Sequence, residues 1–217
     1  MTTRYTAQGP QAEFEPGSRG RVLRNRLGIQ RVGDMNEAES DALRIALSAT
    51  LDRAGSPQRL TTRDACDLHR LWLGEIYLWA GDYRTVNIGK GGFQFANAAL
   101  VQGLMHDLER GPLKRLTPCA PQAADALARA LAEVHAELIL IHPFRDGNGR
   151  LARLLAVLMA AQAGLPPLNF SALLGRGKAR YIEGIHAALG RDYEPLTALF
   201  ERVIAQTLRP GALPTLR

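Results

Sequence analysis

The sequence predicts a mainly α-helical domain carrying a single β-hairpin, on three observations. Apolar residues recur at helical spacing through most of the chain. Once only, between Tyr83 and Phe95, the period switches to alternation. And 46% hydrophobic against 22% charged residues in 217 positions is enough apolar material for one buried core. The same composition excludes disordered, collagen-like and disulfide-stapled chains.

Residues 1–33 read as an N-terminal arm, draped or mobile over its first 17 positions, with Gly9-Pro10 and Pro16-Gly17 and no period. A first helix starts near Asp34 or Asn36, either of which can cap free N–H groups. It carries Ala42, Leu43, Ile45, Ala46 and Leu47 and stops near Gly55-Ser56-Pro57. Thr61 or Thr62 caps a second helix, with Leu68, Leu71, Trp72, Ile76 and Trp79 at helical spacing, which Gly81 ends. Val86 and Ile88, then Phe93 and Phe95, alternate with polar residues around Gly89-Lys90-Gly91-Gly92, the pattern of a hairpin. Helical period returns from Ala98 to about Leu108, and Pro112, Pro118 and Pro121 mark a connection. Leu127, Leu131, Val134, Leu138 and Ile141 step by 4, 3, 4 and 3 along a helix ending at His142-Pro143. Leu151, Leu154, Leu155, Leu158 and Met159 form the next, which stops at Gly164 before Pro166-Pro167. Further helices cover residues 176–189 and 193–208. The domain therefore spans 34–208, with a tail at 209–217.

Basic residues number 27 against 21 acidic, a net charge of +6; three are lysines (Lys90, Lys114, Lys178), so 24 are arginines. Arginine makes planar, multidentate contacts with phosphate, although the codon bias of a GC-rich genome accounts for the excess equally well. The two cysteines, Cys66 and Cys119, are too few for a disulfide framework and point to a reducing, cytoplasmic compartment. The polar start MTTRYTAQGPQAEFEPG is no signal peptide. The longest apolar stretch, 151–165, contains Arg153 and Gln162 and is too short and polar to span a membrane.

Between the two central helices the chain reads His142-Pro143-Phe144-Arg145-Asp146-Gly147-Asn148-Gly149-Arg150. Two glycines flanking an asparagine allow left-handed backbone, in which successive N–H groups converge into an anion nest. The nest opens into a helix N-terminus, whose free N–H groups favour phosphate. Arg150 and Arg153, three apart in that first turn, can reach one anion. Placed there they oppose the helix dipole by roughly 0.3–1 kcal/mol each, a cost that a bound anion offsets. Asp146 beside polyphosphate suits Mg²⁺, which takes one or two carboxylates with phosphate oxygens and water. His142, four residues before it, can accept a proton from an attacking hydroxyl. Taken singly, Asp-Gly-Asn-Gly is a turn and a histidine a capping residue; the combination at this spacing is what carries the reading.

This string resembles the signature of the Fic (filamentation induced by cAMP) family, H-P-F-x-[D/E]-G-N-G-R, complete here, with Arg153 as the further arginine. The likeness runs from about Leu71 to Ile204 and includes Gly81-Asp82-Tyr83-Arg84 and the Gly-rich hairpin. It implies a Fic-type helical bundle with one hairpin flap, and transfer of AMP from ATP to a protein Tyr, Ser or Thr hydroxyl. In that frame His142 is the general base and Asp146 holds Mg²⁺. Gly147, Asn148 and Gly149 form the anion hole, Arg150 takes the β- and Arg153 the γ-phosphate, and Phe144 anchors the loop in the core. Val86, Asn87, Ile88 and Gly89 form the flap strand on which a target segment docks. Lys90 and Gly91 at its tip touch target or nucleotide, with an ordinary solvated turn as the equal alternative. Tyr181 lines the adenine pocket or packs in the core.

Many relatives carry an inhibitory helix, [S/T]-x-x-x-E-[G/N], whose Glu pairs with the second arginine. Only Thr197 and Glu201 approach that pattern, with Arg202 following, inside the final core helix. The resemblance is therefore to the toxin class inhibited by a separate small antitoxin, some of whose members modify the type II topoisomerases gyrase and topoisomerase IV, in the bacterial cytoplasm. Alternatives within the fold are a kinase or a UMP or phosphocholine transferase; Gly149 stands where the kinase-type motif has lysine. A nucleic-acid-binding module lacks any motif beyond the charge. A metal hydrolase built on His135, His142 and Asp146 lacks H-E-x-x-H or a Cys pair.

Overall fold

A computed structural model describes residues 6–7, 10–53, 58–120, 124–211 and 213–214. The arm, expected to be draped or mobile, is tied down by polar groups. After the two-residue strand β1 (Thr6–Ala7), Phe14 bridges Leu23, and buried Asn25 accepts the N–H groups of Leu27 and Ile29 while donating to the carbonyls of Leu23 and Ile29. Arg26 N–H donates to Ile76 O at 2.8 Å, fastening the arm to the body.

α1 (Val32–Arg53) starts two residues before Asp34, which lies in its first turn; the stop expected at Gly55-Ser56-Pro57 lies outside the described residues. α2 (Thr62–Leu73) has Thr61 as its cap: Thr61 Oγ1 accepts from Asp64 N–H while the Asp64 carboxylate accepts from Thr61 N–H, a capping box. α2 ends at Leu73, eight residues short of the expected Gly81. Residues 74–82 instead form consecutive turns that keep Ile76, Tyr77 and Ala80 buried, so the apolar period outlasts the helix. The physical cause is His69, whose Nδ1 accepts the Gly81 N–H at 2.8 Å and draws the chain back.

The hairpin pairs β2 (Ile88–Lys90) with β3 (Phe93–Gln94), Gly89 opposite Gln94 and Lys90 opposite Phe93. Its two turn residues, Gly91 and Gly92, both have positive φ (57° and 82°), the backbone of a type I′ turn. It is not a lone hairpin: β1 pairs antiparallel with the other side of β2, Thr6 opposite Gly89 and Ala7 opposite Ile88, making a three-stranded sheet in the order β1-β2-β3. Sequence period could not show this, because a two-residue strand has none.

A 3₁₀ turn, Ala98–Leu100, capped by Asn97, leads into α3 (Val101–Leu108). A π-helical turn at Glu109–Leu113 contains Pro112 and runs into α4 (Lys114–Leu116). α5 (Ala124–Ile141) is the axis of the domain. It buries residues on every side, including Leu131, Val134, His135 and Leu138, and packs against both α6 (Asn148–Gln162) and α8 (Glu194–Thr207). α7 (Lys178–Ala187) lies on α8, and α1 on α2. No described helix is long and apolar enough to cross a membrane.

Candidate active site

The α5–α6 connection is irregular yet buried, so its main-chain polar groups need partners from the protein. His69 Nε2 donates to Asp146 O at 3.1 Å, and its ring stacks on Phe144 with centroids 4.0 Å apart. Phe144 has no exposed surface, as expected of an anchor. Asn148 accepts Phe144 N–H through Oδ1 (2.9 Å) and donates through Nδ2 to Phe144 O (2.8 Å). Its side chain is therefore spent on bracing the loop, and what it offers an anion is its main-chain N–H, in the first turn of α6.

Arg84 does most of the remaining work and was singled out in the sequence only as part of the resemblance. Its guanidinium donates to the carbonyls of His142 (2.7 Å), Val86 (2.8 Å), Ala96 and Ile141, and its N–H donates to Pro143 O. One buried arginine thus joins flap and loop. Burial alone pushes its pKa down to about 10, so it remains a cation. Arg145, also buried, donates from Nε to Gln11 O at 2.8 Å, so the arm is fastened to the loop as well. Nothing in a sequence period marks Arg145 or Gln11.

The two motif glycines differ. Gly147 is left-handed (φ 82°), and a Cβ there would stand 2.8 Å from the Trp72 ring. Gly149 was expected to be left-handed too; it lies inside α6, which begins at Asn148. A Cβ on Gly149 would meet only Arg153 Nη1, at 3.9 Å. Nothing among the described residues requires that glycine, so the space above it suits a ligand pressed on the backbone.

His142 has left-handed backbone (φ 51°), uncommon for a non-glycine and held by the Arg84 bond to its carbonyl. Its Nδ1 lies 2.8 Å from Ile139 O, which can only accept, so Nδ1 carries the hydrogen and Nε2 keeps its lone pair. The ring stacks on Phe95 of the flap at 3.6 Å. Burial pushes its pKa down to about 3, against a smaller opposing effect of the Ile139 bond and Asp146; Arg84 and Lys90 push it further down. The imidazole is neutral at neutral pH, and Lys90, on the exposed flap tip with Gly91, is near enough to act on it.

Asp146 is buried, and one carboxylate oxygen accepts the Gly147 N–H at 2.6 Å. No ion pair to it occurs among the described residues. A lone buried carboxylate beside cationic donors suits a hard cation that draws its other ligands from phosphate and water. No group of three metal-ligating side chains occurs among the described residues, and His135 is instead a buried partner of Tyr181, Nε2 to hydroxyl 2.9 Å.

Arg150 lies across the Trp72 ring (4.6 Å) and pairs with Glu39 of α1 at 2.6 Å, while its Nε is a buried donor with no acceptor among the described residues. That unanswered donor fits an anion. Arg153 sits beside Gly149; burial pushes Tyr181 up to about 12 and His135 down to about 3, and the Arg153 charge opposes the first shift and adds to the second. The structure thus gathers His142, Asp146, Gly147, Asn148, Gly149 and Arg153 at one loop, with Lys90 and Phe95 brought over it. Tyr181 is half-buried, with its hydroxyl turned to His135 rather than free. Of the four residues expected to form the flap strand, only Ile88 and Gly89 lie in β2; Val86 and Asn87 precede it, Val86 and Ile88 being buried and Asn87 exposed. Glu201 is exposed on α8, within a core helix.

Comparison with known proteins agrees with this geometry. Residues 59–160 match the Fic/DOC family. The chain is 30% identical over 194 residues to a protein of Salmonella typhimurium called probable protein adenylyltransferase Fic, covering 85% of this chain and 88% of that one. The chain belongs to the Fic/DOC family. The Escherichia coli K12 member, also called probable protein adenylyltransferase Fic, is 32% identical over 196 residues with the same coverage. Among solved structures, the FIC domain of Bep8 from Bartonella sp. 1-1C superposes with a TM-score of 0.73 at 18% identity, over 91% of this chain and 95% of that one. BepC from Bartonella tribocorum, with bound AMPPNP, gives 0.66 at 21%, over 83% and 91%. These likenesses establish the mainly helical Fic fold.

Three buried histidines set the acid stability of this fold. Burial, in each case the largest cause, pushes His69 down to about 4 and His135 and His142 down to about 3. Below about pH 6.5 the unfolded chain binds protons at these positions and the folded chain does not. Stability therefore falls as pH drops from about 6.5 toward 4, by about 1.4 kcal/mol per pH unit for each histidine. Urea unfolding at pH 7, 6 and 5 should show that slope, and His135→Gln should flatten it; an unchanged slope in the variant would refute the assignment.

Proposed function

We propose that this chain is a protein adenylyltransferase, transferring AMP from ATP to a Tyr, Ser or Thr hydroxyl of a target protein. The observation that carries the reading is His142: a neutral imidazole whose Nδ1 hydrogen is committed to Ile139 O, set in a buried loop next to the N-terminus of α6. His142 takes the hydroxyl proton, the target oxygen bonds to the α-phosphorus, the bond to the bridging oxygen breaks, and pyrophosphate leaves. Arg150, Arg153 and the N–H groups of Asn148 and Gly149 receive the β- and γ-phosphate charge, which is what phosphoryl-type transfer chiefly needs. Asp146 would hold Mg²⁺, which when bound neutralises charge on the phosphates. Lys90, Gly91 and Tyr181 border the nucleotide, and residues 86–89 belong to the flap on which the target segment docks. BepC and a Bartonella quintana Fic domain, known with AMPPNP and ADP, support ATP as co-substrate. Gly149, rather than lysine, favours AMP transfer over the kinase alternative.

The regulatory part of the proposal is a separate small antitoxin that places a glutamate against Arg153, in the bacterial cytoplasm. It is supported by the lack of an inhibitory motif in the sequence and by a net charge of +6 that suits an acidic partner. Type II topoisomerases are the proposed target class, on the family resemblance.

Incubated with a bacterial lysate, the protein should transfer label from α-labelled but not γ-labelled ATP to a lysate protein. His142→Ala should lower transfer by about 100-fold or more. Equal labelling by the variant, or label from the γ position alone, refutes the reading. Co-purification with the product of an adjacent small gene should suppress labelling, and Arg153→Ala should prevent that partner from contacting the site; labelling that is the same with and without any such partner removes the antitoxin from the account.

A further inference from the structure

We infer that Glu39, on α1 and outside the residues that match the family, is a positioning residue for the nucleotide's β-phosphate, acting through Arg150. Glu39 is 2% exposed, and each of its oxygens has one assigned donor: Oε1 accepts the Tyr77 hydroxyl at 2.7 Å, Oε2 accepts Arg150 Nη2 at 2.6 Å, and its main-chain O accepts Trp72 Nε1 at 2.8 Å. Trp72 also underlies the guanidinium, so the arginine is fixed on one face by the ring and at one nitrogen by the carboxylate. The pairing uses a single arginine nitrogen. A two-point fork would consume the guanidinium; this one leaves Nε, a buried donor without an acceptor among the described residues, for a ligand. Glu39 thus aims Arg150 without competing for it.

The inference rests on the nucleotide reading above, and its test separates the two. Calorimetry with AMP, ADP and ATP, each with Mg²⁺, is run on wild type, Glu39→Gln and Tyr77→Phe. Glu39→Gln keeps the shape and removes the charge; it should weaken ADP and ATP by roughly tenfold or more and leave AMP, which has no β-phosphate, within about twofold. Tyr77→Phe, which frees only the carboxylate's other oxygen, should give a smaller loss in the same two ligands. A uniform loss across all three nucleotides marks a merely structural role and overturns the inference. Tighter ATP binding by Glu39→Gln overturns it too, because Glu39 would then be a brake on Arg150. If wild type binds none of the three, the nucleotide reading fails first.

A different observation carries a second inference: we propose that the arm occupies the flap edge and must leave before a target strand can dock there. It rests on the flap being the docking edge. β2 has β3 on one side and β1 on the other, so both edges at Ile88 and Gly89 are taken. Gln11 tethers the arm close by, accepting Thr85 N–H through Oε1 (3.0 Å) and Arg145 Nε through its carbonyl. Among the described residues the pairing covers two positions, Thr6 and Ala7, short enough to exchange. A chain beginning at Pro10 should lower KM for an extended hydroxyl-bearing acceptor peptide by roughly three- to tenfold, with ATP affinity unchanged. Thr6→Cys with Gly89→Cys, oxidised, should block transfer and recover on reduction. Unchanged peptide KM in the truncated chain, or full activity in the oxidised variant, overturns the proposal.

Discussion

The site depends on one constraint: a buried, irregular loop must have its main-chain polar groups answered by side chains. The chain meets it with three residues from three places. Arg84, before the flap, answers Ile141 and His142 and, through its main chain, Pro143. Asn148 answers both polar groups of Phe144, and His69 answers Asp146. Two of them also tie the loop to something else, Arg84 to the flap and His69 to the turn at Gly81. Loop, flap and the end of α2 therefore form one hydrogen-bonded unit, and the catalytic geometry inherits its rigidity.

The electrostatics follow from the same burial. Desolvation removes charge from the histidines but not from the arginines, whose ordinary pKa is far too high to be brought to neutrality. His142 is left neutral, while the buried Arg84 keeps its charge. Glu39 offsets the charge of Arg150, and Asp146 stands at the same loop. The +6 net charge of the chain says little about this; the positive character of the site comes from three arginines placed by α6 and by the residue before the flap.

The helices of the core, the hairpin and the His142–Arg153 string were legible because period and spacing are local. What failed was long-range and polar. α2 was read too long because Ile76 and Tyr77 remain buried after the helix stops, and apolar period cannot separate a helix from buried turns. The sequence leaves the arm as draped or mobile; its fastening through Asn25, Gln11 and Arg145 is not legible there, because side-chain hydrogen bonds leave no period. The family resemblance places Asn148 in the anion hole; that its side chain is spent on Phe144 is visible only once the loop is closed, and its main-chain N–H stays compatible with that role. Glu39 lies 111 residues from Arg150, and no spacing rule connects them.

Gly147 and Gly149 show how a fold can still identify its ligand. Both read alike in sequence, as glycines beside an asparagine. Gly147 is explained by the protein alone, through a left-handed φ and the Trp72 ring against its missing Cβ. Gly149 has helical backbone and open space among the described residues, so neither strain nor packing against them requires a glycine there. Alanine would serve the helix better by about 1 kcal/mol. A residue that costs stability and relieves no internal clash is explained by something outside the chain. The neighbouring Arg150 Nε, a buried donor lacking a partner among the described residues, calls for the same thing. An anion lying against the backbone at the start of α6 would answer both, so the proposed phosphate site draws support from the structure as well as from the family string.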